Sequence, residues 1–111
     1  MNLRPDSFNR ICSGVKTIEY RLHNGKRSLL NKRDYIQFTE TAVGERTVLV
    51  EIVDIFTTPS FTVLKQKLLE IGLLAEGSFS PSGMRKYYSV EDEKRYGVMG
   101  IRVIALVSAK P

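Results

Sequence analysis

The chain reads as one α+β domain, a small curved sheet or barrel with flanking helices, and three observations predict it. At 111 residues it has room for one core and not for two. Its apolar residues switch repeatedly between helical and strand periodicity. Its strands do not alternate regularly with long helices, which excludes a doubly wound parallel sheet.

The first helical signal is Phe8, Ile11 and Cys12, at i, i+3 and i+4. Asp6 or Ser7 is placed to cap this helix and Gly14 to end it. Cys12 shares the apolar stripe, so its thiol is expected to point inward. Lys16–Leu22 then has strand alternation, with Ile18, Tyr20 and Leu22 on one face and Thr17, Glu19 and Arg21 on the other. Asn24-Gly25 is a turn, with His23 expected to be exposed beside it. Lys26–Asn31 predicts one or two helical turns with Leu29 and Leu30 inward. Asp34–Phe38 predicts a strand.

Thr47–Thr57 carries the strongest strand pattern. Val48, Val50, Ile52 and Phe56 form one face, and Leu49, Val53 and Ile55 keep the other apolar, as in a strand covered on both sides. Pro59-Ser60 opens a helix. Phe61, Leu64, Leu68 and Ile71 recur at helical spacing, and Gly72 marks the stop. Residues 76–86 are rich in Gly, Ser and Pro and predict a loop. Ser89 is placed to cap a short polar helix through Arg95. Its acids Glu91, Asp92 and Glu93 suit a helix start. Gly97–Val107 predicts a long last strand.

Hydrophobic residues make up 42% and charged residues 26%, the balance of a soluble globular chain. The single cysteine allows no internal disulfide and fits a reducing compartment. The opening residues lack the apolar core of a secretory leader, and no apolar run approaches the ~20 residues of a membrane span. The expectation is a cytoplasmic protein without a membrane partner. With one His and one Cys, a zinc site is not expected, and neither a Walker nor a Rossmann glycine pattern is present. No cofactor is therefore expected.

The charge is unevenly placed. The net charge is +5. Residues 1–33 hold eight basic groups against two acids, a net of +6, and residues 34–111 hold nine against ten, a net of −1. Such a segment attracts phosphates or other anions, or it serves as a solvated surface.

The ordered motifs carry a family likeness. Phe8-x-x-Ile11-x-Ser13-Gly14-x-Lys16-Thr17-Ile18-Glu19-x-Arg21 resembles the opening signature of ASCH domains. Asp34–Phe38 resembles that family's Gly-Asp-x-Ile-x-Phe strand, with Arg33 standing where Gly is frequent. Tyr87-Tyr88-Ser89-x-Glu91-x-Glu93 and Tyr96-Gly97-Val98 resemble its closing segment. The resemblance implies a small PUA-like β-barrel with flanking helices over residues 1–111, and a role in binding RNA or a nucleotide-like ligand. One branch of the family is associated with hydrolysis of the amide of N4-acetylcytidine, and others with RNA cleavage. In the amidohydrolase branch the matching run carries a catalytic Lys, which falls on Lys16. A catalytic Thr falls where this chain has Glu19. A Glu after the central helix has Glu76 as its nearest match. Three functions stay open: an RNA- or nucleotide-binding domain, a small amidohydrolase acting on a modified nucleoside, and a protein-interaction module.

The residues support the same segment on chemical grounds. Thr17, Glu19 and Arg21 share a strand face, polar decoration if solvated and a ligand surface if it lines a barrel mouth. Arg21 would bind phosphate or a base edge, with Glu19 orienting it, accepting from an amino group or acting as a base. Lys16 is an anion contact, a base if partly buried, or a surface lysine. Arg85 and Lys86 beside Tyr87 and Tyr88 would pair phosphate contacts with base stacking. Alternatively one tyrosine packs on the barrel and the other is plain surface.

Overall fold

A computed structural model describes residues 1–41, 46–74 and 79–106. Its strands are β1 (Asn2–Leu3), β2 (Ile18–Leu22), β3 (Tyr35–Glu40), β4 (Thr47–Thr58) and β5 (Val98–Ala105). Its helices are α1 (Pro5–Cys12), α2 (Phe61–Glu70) and α3 (Val90–Tyr96), with 3₁₀ turns at Gly25–Leu29 and Ser82–Lys86. The strands form one sheet in the order β1-β3-β4-β5-β2. The chain divides into two compact units.

The first unit comprises Met1–Glu19, Asn31–Ile55 and Ile101–Pro111. Strands β3 and β4 pair antiparallel with Ile36 opposite Val50 and Phe38 opposite Val48. The two-residue period puts Ile36, Phe38, Val50 and Ile52 on one face, and all four are buried. Phe8 and Ile11 of α1 are buried in the same unit. Leu3 is buried too, on β1, which pairs parallel with β3. Two residues are too few to show a period, so β1 left no signal in the sequence.

The second unit comprises Tyr20–Leu30 and Phe56–Gly100. Here α2 buries Phe61, Leu64 and Leu68, each with no exposed surface. Ser60 caps α2, its Oγ accepting from the Val63 N–H at 3.1 Å. Ser89 caps α3 in the same way, accepting from the Asp92 N–H at 3.1 Å. Gly97 ends α3 at φ +73°, where a β-carbon would stand 3.1 Å from the Thr58 carbonyl oxygen. Only glycine combines that backbone with that approach.

Local expectations fail where packing decides. Helix α1 is not capped by Asp6 or Ser7. Arg4 is the N-cap and Pro5 takes the first helical position, for which its fixed φ is preset. Cys12 is exposed, because the buried stripe stops at Ile11 and Cys12 is the last residue of the helix. Leu29 is 74% exposed and Leu30 half-buried, since the chain leaves the 3₁₀ turn extended at Leu30. Ile71 is the C-cap of α2 and is exposed. On β4 the second face is only partly covered: Leu49 is exposed, Val53 and Ile55 half-buried. His23 is half-buried, and its N–H donates to the Gly97 carbonyl at 3.1 Å.

Arg33 is the only described non-glycine residue at positive φ, +74°. It closes a turn in which Asp34 Oδ2 accepts from the Asn31 N–H at 2.8 Å and the Arg33 N–H donates to the Ile52 carbonyl at 2.7 Å. A side chain in the left-handed region costs about 1–2 kcal/mol, and glycine returns about 0.5–1 kcal/mol of that through its looser unfolded chain. Arg33→Gly should therefore raise the unfolding free energy by about 0.5–1 kcal/mol in a urea titration. A lowered midpoint would show that the exposed Arg33 side chain contributes more than its backbone costs.

Candidate functional site

The head of β2 in the first unit places two of the expected site residues in contact. Lys16 Nζ lies 2.7 Å from Glu19 Oε1. The side chains are 18% and 7% exposed, so the pair is largely withdrawn from water. They stand three positions apart in the chain, and the strand begins between them, at Ile18. The extended chain cannot bury Glu19 as decoration: Ile18, Glu19 and Leu22 are all buried, so the simple alternation expected of this strand is broken. Thr17 lies outside β2 and is exposed, and its carbonyl accepts from the Val103 N–H at 2.8 Å. Arg21 is half-buried further along β2 and belongs to the second unit.

A buried charge pair is weak evidence for stability, because desolvation offsets much of the attraction. What the arrangement supplies is a fixed cation and a fixed carboxylate at one point. That pair can contact an anion and an amino group, or exchange protons with a bound substrate. Glu76, the third member implied for a catalytic set, lies outside the described residues.

A second carboxylate is buried in the same unit. Glu40 on β3 is 3% exposed and pairs with the Arg46 guanidinium. Arg46 also donates to Asn9 Oδ1 at 2.9 Å and lies over the Phe8 ring, 4.9 Å from its centroid. The hydrogen bond to Glu40 holds the Arg46 pKa above its ordinary value. These contacts tie α1 to β3, and the sequence pattern gave no hint of them.

In the second unit, Arg85 and Tyr88 lie around Glu93, one of three acids in the first turn of α3. Glu93 is 4% exposed. Its Oε1 accepts from the Phe61 N–H at 2.7 Å. Its Oε2 lies 2.5 Å from Arg85 Nη2, an ion-pair contact without hydrogen-bond alignment. Arg85 Nη1 reaches the Tyr88 carbonyl at 3.5 Å. The Tyr88 ring stacks on Phe61, with centroids 5.9 Å apart and planes at 24°. Phe61 also meets Phe79 edge-on at 6.0 Å, and Phe79 stacks on Tyr20 at 3.9 Å. Of the two tyrosines, Tyr88 is half-buried on this cluster and Tyr87 is 55% exposed. Charge alone made Glu93 look like its neighbours Glu91 and Asp92. The family-like closing pattern set Glu93 apart from Asp92 but not from Glu91, which is exposed.

Among the described residues, no group of three His, Cys, Asp or Glu side chains could hold a metal ion. No described helix is long and apolar enough to cross a membrane.

The ASCH domain model matches residues 1–106. The chain belongs to the ASCH domain family. Its backbone resembles the crystal structure of hypothetical protein PH0355, at 29% identity, 96% coverage of both chains and a TM-score of 0.76. It also resembles the solution structure of protein PF0455 from Pyrococcus furiosus, at 30% identity, covering 96% of this chain and 94% of that one, with a TM-score of 0.66. No curated protein matches the chain. The α+β class and the PUA-like fold expected of an ASCH domain are thus both present. Within this ASCH domain the opening motif supplies the Lys16–Glu19 pair and the closing motif supplies Glu93, whose partner Arg85 lies just before it.

Proposed function

We propose that this ASCH domain binds RNA or a nucleotide-like ligand through the Lys16–Arg21 segment. The observation that carries this reading is the disposition of the first 33 residues. Their net charge is +6, and Arg4, Arg10, Lys26, Lys32 and Arg33 are exposed. Exposed cations on a segment with so few acids supply the counterion-releasing contacts that phosphate binding requires. The shielded Lys16–Glu19 pair gives that general attraction a fixed point of contact.

Binding of a single-stranded RNA oligomer should weaken steadily with salt. Four phosphate contacts predict about a fiftyfold loss between 50 and 200 mM. A flat salt response would remove the basic segment from the mechanism.

The same Lys16–Glu19 contact favours a second reading, hydrolysis of an amide on a modified nucleoside, because a lysine and a carboxylate are the parts of proton-transfer chemistry. Comparing wild type, Lys16→Arg and Lys16→Ala separates the two. As an anion contact, Lys16 works protonated, and arginine keeps the charge. As a base or nucleophile it must be neutral in part of the cycle, which arginine cannot be. Lys16→Arg should keep RNA affinity within a few-fold, while Lys16→Ala also leaves the Glu19 carboxylate buried without its cation. Robust release of acetate from N4-acetylcytidine by wild type, abolished by Lys16→Arg with affinity intact, would replace the binding reading with the hydrolase.

A further inference from the structure

We infer that residues 85–88 form a second RNA contact, in which the Tyr87 ring is a stacking platform for one unpaired base. The inference rests on the RNA-binding reading and extends it to the second unit. Three observations carry it.

The first is the exposure of an aromatic ring that core packing does not explain. Tyr87 is 55% exposed while its neighbour Tyr88 packs on Phe61. The two tyrosine rings stand 6.5 Å apart with planes at 60°. The second is the charge beside it. Arg85 and Lys86 are both exposed, and they immediately precede Tyr87. Cations next to an accessible ring are the pairing that holds a single strand, the cations on phosphate and the ring on a base.

The third is the rigidity of the support. The Tyr87 and Tyr88 N–H groups both donate to the Met84 carbonyl, at 3.0 and 2.9 Å. The next residue, Ser89, caps α3. Arg85 is held from behind by Glu93, whose other oxygen is fixed on the Phe61 N–H. Withdrawing a carboxylate from water is costly, and here one oxygen anchors it on α2 while the other faces the Arg85 guanidinium. A pre-ordered platform loses little entropy when a base settles on it, which is what makes an exposed tyrosine an effective contact.

The test measures binding of a single-stranded RNA oligomer and of the same oligomer with abasic residues, using wild type, Tyr87→Phe and Tyr87→Ala, with a thermal melt of each. Wild type should prefer the base-bearing strand. Tyr87→Ala should bind it about five- to 150-fold more weakly, the range of one lost stacking contact. It should bind the abasic strand as wild type does and melt unchanged. Tyr87→Phe should keep both affinity and preference, since the ring does the stacking. Tyr87→Ala binding both strands as wild type does overturns the inference and leaves the Lys16–Arg21 proposal standing. An equal loss on both strands also overturns it, because the ring then contributes no base contact. Wild type binding neither strand overturns both readings.

Discussion

Leu64→Ala should lower the unfolding free energy by about 3–5 kcal/mol, the range for a leucine truncated where the surroundings cannot collapse. Leu64 has no exposed surface and lies between Phe61 and Leu68 on the buried stripe of α2. Removing its branched end loses the transfer free energy of the buried methyl groups and leaves a void on the inner face of the helix. The helix itself should survive, because its cap at Ser60 is untouched and alanine favours helix. Leu64 is a cleaner probe than Phe61, whose ring also carries Tyr88 and Phe79. Urea denaturation followed by circular dichroism reads the change. A midpoint within error of wild type would mean that α2 does not bury this stripe.

Glu93→Ala should cost about 2–3 kcal/mol, the penalty for depriving a buried donor of a charged acceptor. The Phe61 N–H stands in the first turn of α2, where no earlier carbonyl of the helix can accept it. Ser60 serves the Val63 N–H, so the Phe61 N–H depends on a carboxylate 32 residues away in the chain. The ion pair with Arg85 adds less than about 1 kcal/mol, since the Arg85 side chain is 40% exposed and hydrates readily once released. Glu93→Gln keeps an acceptor oxygen for Phe61 and should recover most of the loss. Equal destabilisation by alanine and glutamine would place the stability in the charge on Arg85 rather than in the hydrogen bond.

The two substitutions show where sequence reading succeeds and where it stops. The stripe Phe61, Leu64 and Leu68 follows from helical spacing alone, and the buried surface confirms it. The burial of Glu93 does not follow, because nothing within one turn of it explains a carboxylate facing inward. Its partners are the start of another helix and an arginine of the preceding 3₁₀ turn. Glu19 is the same case on a smaller scale: strand periodicity put it on a polar face, and the Lys16 ion pair allowed it to be buried.

What the sequence determined by itself was local. Strand β4, helix α2, the caps at Ser60 and Ser89 and the stop at Gly72 all depend on neighbours a few residues away. Periodicity, capping chemistry and the freedom of glycine report those neighbours directly. The excess of positive charge in the first third was equally legible, since it requires only counting. Tertiary structure alone decided which charges were withdrawn from water. Glu40 meets Arg46, and Glu93 meets Arg85 and the Phe61 N–H, because the fold brings them together. It decided that β1 pairs with β3, that Cys12 faces outward and that Arg33 takes a left-handed turn. A carboxylate's burial depends on the partner that offsets its desolvation, and that partner is chosen by distance in space.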